Sequence, residues 1–245
     1  MNGEQSDKLQ HVKRVDITVI IPTINSENRI EKITRHIQDY FSKKAFIGNY
    51  EIIIAAQTSD DNTFDSIKRL KSNEVVPLFI KPRGKGIGIQ EGIKASRFPW
   101  ICIIDDDMSY PIEFMDDCNG LFDQFDVFIG SRYIRKQNTP FLRKIGGLIY
   151  RKYAKMLFRI KEEDVQSGLK LFRKDVFEKI KNPKEPDYLW DTVFLYYANR
   201  KNLRIKEIPI EYKYIPNQLK FFRTAFKMFN RATSLWWRIV VRKKC

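Results

Sequence analysis

Asp105, Asp106 and Asp107 stand side by side directly after the apolar run Trp100–Ile104 and shortly before Pro111, a residue type that can open a helix. Three adjacent carboxylates repel one another, and a hard divalent cation removes that penalty. Alternate residues at a strand end point to the same side, so Asp105 and Asp107 could share one Mg²⁺ or Mn²⁺ with a diphosphate. The plainer alternative is an acidic turn that caps the next helix. Gly84-Lys85-Gly86-Ile87-Gly88 is a weaker signal. It lacks both the Lys-Ser/Thr ending of a P-loop and the spacing of dinucleotide-binding glycines, and a flexible turn explains it equally well. His11 and His36 are the only histidines, which argues against a His-rich metal site or a Ser-His-Asp triad. Cys102, Cys118 and Cys245 are odd in number and share no Cys-x-x-Cys spacing, so no disulfide framework or zinc ribbon is indicated and a reducing, cytosolic compartment fits. Any catalysis must rest on carboxylates.

The elements around these residues alternate. Val15–Ile21, Tyr50–Ala56, Val75–Ile80, Trp100–Ile104 and Asp126–Gly130 are short apolar or β-branched runs that predict strands. Between them Ser26–Phe41, Asp61–Lys71, Gly86–Ser96 and Pro111–Phe122 carry helical patterning. This order predicts βαβ units and an α/β fold, a mostly parallel sheet flanked by helices, with any ligand at the carboxyl ends of the strands. The residues to inspect are therefore Pro22-Thr23, Gln57-Thr58-Ser59, Lys81–Gly88, Asp105-Asp106-Asp107 and Ser131-Arg132-Tyr133.

The 245 residues, 43% of them hydrophobic, suffice for the core of one ordinary domain with a small appendage. Residues 1–13 read as a loose tail. The net charge of +15 points to an anionic partner. It is local: Arg132–Ile160 and Tyr212–Cys245 each carry nine basic residues and no acidic one, leaving the remainder at −3. Both segments are amphipathic. Phe222, Phe226, Phe229, Ala232, Trp236 and Val240 recur at three- and four-residue steps, opposite Arg223, Lys227, Arg231, Arg238 and Arg242. Basic helices rich in Trp and Phe suit a lipid headgroup boundary, although two core-packing helices with solvated faces give the same pattern. No window is long and apolar enough to span a membrane, and the N-terminus has no apolar signal segment.

Taken together, the strand-end residues resemble the family 2 glycosyltransferases of GT-A (Rossmann-like) fold, especially the dolichyl-phosphate mannose and glucose synthases. The resemblance is carried by Val19–Asn25, Gly84-Lys85-Gly86 with Gly92, Asp105-Asp106-Asp107, Gly130–Tyr133, Asp164–Phe172 and Ile205–Ile210. It implies a GT-A domain over residues 14–216, with 217–245 as C-terminal amphipathic helices at a membrane surface. The stretch Gln166–Phe172 with Gly84-Lys85-Gly86 looks closer to the glucose branch. Carried onto this chain, the resemblance makes Asp105 and Asp107 the metal and diphosphate carboxylates, with Mg²⁺ or Mn²⁺ as cofactor. Asp106 and Lys85 join Pro22-Thr23 in the nucleotide-sugar cradle. Arg132 and Arg143 hold the acceptor phosphate, and Asp191 is the acidic residue near the acceptor. The expected catalytic set is thus Asp107, Asp191 and Arg132.

Departures from the family pattern are equally specific. Ala56-Gln57-Thr58-Ser59 replaces Asp-Asp-Gly-Ser, so the usual base-contacting carboxylate is missing and Gln57 is expected to meet the nucleobase through its amide. Gly147 stands where a Ser commonly follows the arginine matching Arg143, and Asn217-Gln218-Leu219 replaces Ser-Lys-Leu. The implied activity is inverting transfer of a hexose, UDP-glucose before GDP-mannose, to dolichyl or polyprenyl phosphate. The implied setting is peripheral, on the cytoplasmic face of a membrane with an anionic surface, beside a membrane-embedded partner subunit and without nucleic acid. The rivals are a same-fold transferase acting on a sugar hydroxyl and a non-catalytic basic module for membranes or nucleic acid. The second leaves the strand-end motifs unexplained.

Overall fold

A computed structural model of the chain describes residues 14–70, 72–134, 141–180, 185, 187–213 and 221–242, with side chains undescribed at 141–143 and 221–227. The expected tail and residues 214–220 and 243–245 lie outside this set. Seven strands form one sheet in the order β3-β2-β1-β4-β6-β5-β7. They are β1 (Val15–Thr23), β2 (Ile47–Gln57), β3 (Val75–Ile80), β4 (Trp100–Ile103), β5 (Val127–Ser131), β6 (Lys170–Arg173) and β7 (Ile205–Pro209). Pairings among β1 to β4 and between β5 and β7 are parallel, whereas β6 runs antiparallel to both β4 and β5.

The long apolar runs of β1 and β2 follow from burial on both faces. Ile17, Val19 and Ile21 face one layer, with Ile33 and Ile37 of α1 (Ile30–Ser42) and Ile67 of α2 (Thr63–Arg69). Ile20, Ile53, Ile101 and Ile103 face the other. That second layer is built from α3 (Lys85–Ala95), α4 (Phe141–Phe158), α5 (Lys174–Lys179), α6 (Trp190–Arg200) and α7 (Phe221–Trp236), which runs on as a π-helical turn, Trp237–Val241. A Cβ added at Gly92 would meet Ile20 Cγ2 at 2.6 Å, so that glycine sets how closely α3 lies on β1.

Two elements differ from the sequence expectation. Pro111–Phe122 is not a helix: a 3₁₀ turn covers Ile112–Asp116, and turns follow through Gly120, whose φ is +80°. Asp116 in this stretch accepts from Tyr40 Oη at 3.0 Å and Lys44 Nζ at 2.7 Å, tying the segment sideways to α1. The second is β6, whose reversal brings its first residue to the functional edge. Lys170 pairs with Ile103, the last residue of β4, and with Ile129 of β5.

Candidate active site

Asp105, Asp106 and Asp107 emerge where β4 ends, and the strand directions bring residues of α3, α6 and β6 to meet them. Lys85, the first residue of α3, places Nζ 2.8 Å from Asp105 Oδ1 and 3.4 Å from Asp191 Oδ2. Asp191, in the first turn of α6, also pairs with Lys170, whose ammonium bonds the Ser167 carbonyl as well. The result is a row of alternating charge, Asp105, Lys85, Asp191, Lys170, whose first two members are partly exposed and whose last two are buried. Gly168 leaves the space that the Asp105 carboxylate uses, because a Cβ there would lie 2.0 Å from its Oδ2.

Burial opposes the charge on Lys85, and Asp105 and Asp191 more than offset it, so Lys85 titrates above the ordinary lysine range. Burial also acts against ionised Asp191, but Lys170 and Lys85 on either side hold its carboxyl below the usual carboxylate range. Asp105 lies above that range, since burial outweighs the single ammonium it faces. Lys170 is lowered by its own burial and by Lys85, with Asp191 pulling the other way.

The middle carboxylate has a different task. Asp106 accepts from the Thr23 and Ser26 hydroxyls, and Arg29 approaches it at 3.7 Å, so it ties the loop after β1 to the loop after β4. Asp107 accepts the Ser109 backbone N–H at 3.0 Å through Oδ1. Among the described residues no group of three or more His, Cys, Asp or Glu forms a metal cage. Asp105 and Asp107 nonetheless suit a hard cation that keeps water and phosphate oxygens as its other ligands.

Residues 18–181 match the family model described as glycosyl transferase family 2. The chain belongs to that family. It is 28% identical over 178 residues to a dolichol-phosphate mannosyltransferase of Pyrococcus furiosus, covering 68% of this chain and 49% of that one. With a dolichyl-phosphate beta-glucosyltransferase of Trichomonas vaginalis it shares 24% identity over 219 residues, 82% of this chain and 67% of the other. Some curated relatives are far longer, and the chain spans 38% and 49% of the length of two of them. A crystal structure of glucosyl-3-phosphoglycerate synthase from Mycobacterium tuberculosis with Mn²⁺, UDP and glucosyl-3-phosphoglycerate superposes with a TM-score of 0.70 at 15% identity, covering 91% of this chain and 79% of that one. The fold is therefore GT-A.

In this member of the family, Pro22, Thr23, Lys85, Asp105, Asp106, Asp107 and Asp191 lie at or beside the carboxyl edge of the sheet. Two residues stand differently. Gln57 is 2% exposed, and its Oε1 accepts the Gly84 N–H at 2.5 Å, so it holds the loop before α3 from beneath with its carbonyl already used. Arg132 forks onto buried Asp164, with Nε to Oδ2 and Nη2 to Oδ1 both at 2.8 Å, and gives Nη2 also to the Gln166 carbonyl. The rings of Tyr110, Tyr133 and Tyr212 surround the same guanidinium. Its Nε and Nη2 donors are thus spent on fixing the segment before β6. Arg143 falls in the first turn of α4, outside the described side chains. Sequence reasoning did not single out Lys170, Gly168 or Asp164 as site residues; a lysine inside Gly168-Leu169-Lys170-Leu171-Phe172 was the available sign of a buried ion pair.

Proposed function

We propose that this transferase moves a hexose from a nucleoside diphosphate sugar to a dolichyl or polyprenyl phosphate at a membrane surface. What carries the reading is the placement of Asp105 and Asp107 at the carboxyl edge of the sheet, where the Lys85 ammonium pairs with Asp105. A lipid phosphate oxygen attacks the anomeric carbon, the bond to the diphosphate breaks, and the nucleoside diphosphate leaves with the electron pair. Attack from the opposite face inverts the configuration. Mg²⁺ or Mn²⁺ held by Asp105 and Asp107 would supply Lewis-acid stabilisation of the two charges that build on the leaving group. Asp106 keeps the two strand-end loops in register through Thr23 and Ser26. A phosphate monoester with a second pKa near 6 is mostly ionised at neutral pH, so no strong base is required. Asp191, paired with two ammonium groups, is suited to orient rather than to deprotonate.

The test is a screen of nucleotide sugars against dolichyl phosphate, following radiolabel into the organic phase. UDP-glucose is expected to give the highest transfer, and UDP to bind more tightly than GDP by calorimetry. That lean rests on the glucose-like stretch Gln166–Phe172. Transfer to a sugar hydroxyl with none to the lipid phosphate would replace the acceptor in this reading.

The membrane part of the proposal rests on two exposed faces. Along α4, Ile145, Leu148, Ile149, Lys152 and Met156 all face solvent at helical steps, Met156 being 69% exposed. Beyond α7, Trp237 is 51% exposed, whereas Trp236 packs against the core. Insertion of Trp and aliphatic side chains beside lysine and arginine suits an anionic headgroup layer. Binding to anionic vesicles is expected to fall as salt rises, because charge attraction is screened over about 10 Å at 0.1 M. Trp237→Ala with Met156→Ser is expected to reduce the salt-resistant remainder. Failure of the intact protein to co-sediment at low salt would assign both faces to protein contacts. None of the helices described is long and apolar enough to cross a membrane.

A further inference from the structure

The row Asp105, Lys85, Asp191, Lys170 holds one surplus of mobility. Asp191 is pinned by Lys170, which is fully buried and anchored in turn on the Ser167 carbonyl. Asp105 Oδ2 lies close against Gly168, where an added Cβ would come within 2.0 Å of it. Lys85 is the member with a long flexible stem, its charged end shared between the two carboxylates at 2.8 and 3.4 Å. A divalent cation bonds carboxylate oxygen at about 2.0–2.6 Å. It would have to come closer to Asp105 Oδ1 than the ammonium now stands, and two cations on one oxygen repel. The ammonium, on its flexible stem between two carboxylates, is the part that yields. Asp191 is already in reach to receive it.

The two ends of that movement differ in what they leave behind. With Lys85 on Asp105, the row of four is electrically neutral. Drawing Lys85 to Asp191 changes no formal charge, but it leaves Asp105 to the divalent cation, so the surplus positive charge of Lys85, Asp191 and Lys170 is no longer offset by that carboxylate and lies beside the edge where a diphosphate is placed by the proposed reaction. We infer that Lys85 is a placeholder counter-ion: it competes with the divalent cation for Asp105 and, once displaced, becomes a charge partner for the nucleoside diphosphate. Metal and nucleotide binding are then coupled, each strengthening the other by the same factor. The inference deepens the reading of Asp105 and Asp107 as a cation and diphosphate site, and rests on it.

The experiment is titration of the full chain with Mn²⁺, following free aqueous Mn²⁺ by electron paramagnetic resonance, with and without saturating UDP or GDP. In the wild-type protein either nucleotide is expected to tighten Mn²⁺ roughly fivefold or more, within the usual range of coupling between sites. Lys85→Gln is expected to bind Mn²⁺ alone more tightly than wild type by a comparable factor and to lose most of the coupling. Lys85→Arg keeps the positive charge and is expected to keep Mn²⁺ alone weak. Circular dichroism and a thermal melt confirm that both variants are folded. Weaker or unchanged Mn²⁺ binding by folded Lys85→Gln, with coupling retained, overturns the placeholder while leaving the metal site standing. Absence of Mn²⁺ binding by wild type and by Lys85→Gln, with nucleotide present, overturns the metal site itself and the placeholder with it.

Discussion

Asp107→Asn is expected to lower hexose transfer by at least about two orders of magnitude, equivalent to roughly 2.7 kcal/mol of lost transition-state stabilisation. The substitution suits the question because it changes charge and little else. Asp107 Oδ1 accepts the Ser109 N–H at 3.0 Å, and the amide oxygen of Asn can accept the same bond. The loop leading to Tyr110 should therefore keep its shape, and the thermal midpoint should stay close to that of wild type. What disappears is one of two anionic oxygen donors for a divalent cation. The loss should appear in kcat, since metal charge acts on the developing diphosphate, and raised Mn²⁺ should recover part of it. Near-normal turnover in this variant, or in excess chelator, would remove Asp107 from the reaction and return the acidic turn to a capping role.

The elements that sequence patterning located well are those whose signal is local. β1, β2, β4 and β5 are apolar runs buried on both faces over most of their length, the edge strand β3 is only partly buried, and the observed ends of all five fall within three residues of the expected ones. β6 was legible only as part of a motif. It is four residues long, contains a lysine, and takes its antiparallel direction from pairing with β4 and β5, which no local period encodes. The same limit explains Arg132. As a basic residue after a strand it looked available for phosphate, but its partner Asp164 lies 32 positions further on. Gln57 was placed one step outside its strand, whereas β2 continues through it and turns its amide under the loop, against the position of Gly88. The placement of the strand-end residues was thus readable, and the pairing between distant side chains was not.

That pairing leads to the other large effect. Lys170→Met is expected to destabilise the fold by about 3–5 kcal/mol, the usual cost of removing one partner from a buried ion pair. For a chain of this size the thermal midpoint should fall by roughly 6–20 °C. Lys170 is fully buried, and its loss leaves Asp191 facing Lys85 alone and the Ser167 carbonyl without its ammonium partner. The pH dependence has a definite sign. Asp191 is held below the ordinary carboxylate value, so its pairing contributes stability that is present above about pH 4 and is lost as pH falls through the lowered folded value. The gap between wild type and variant should accordingly be widest near neutrality and narrow in acid, where a protonated Asp191 no longer demands a cation. Lys170→Met combined with Asp191→Leu should recover much of the lost stability, because replacing both charges with apolar groups leaves neither one unpaired. The recovered fold should still transfer poorly if Asp191 orients the acceptor. A single variant that loses less than about 1 kcal/mol, or a double variant no more stable than the single, would show that the Lys170–Asp191 pair does not hold this edge of the sheet together.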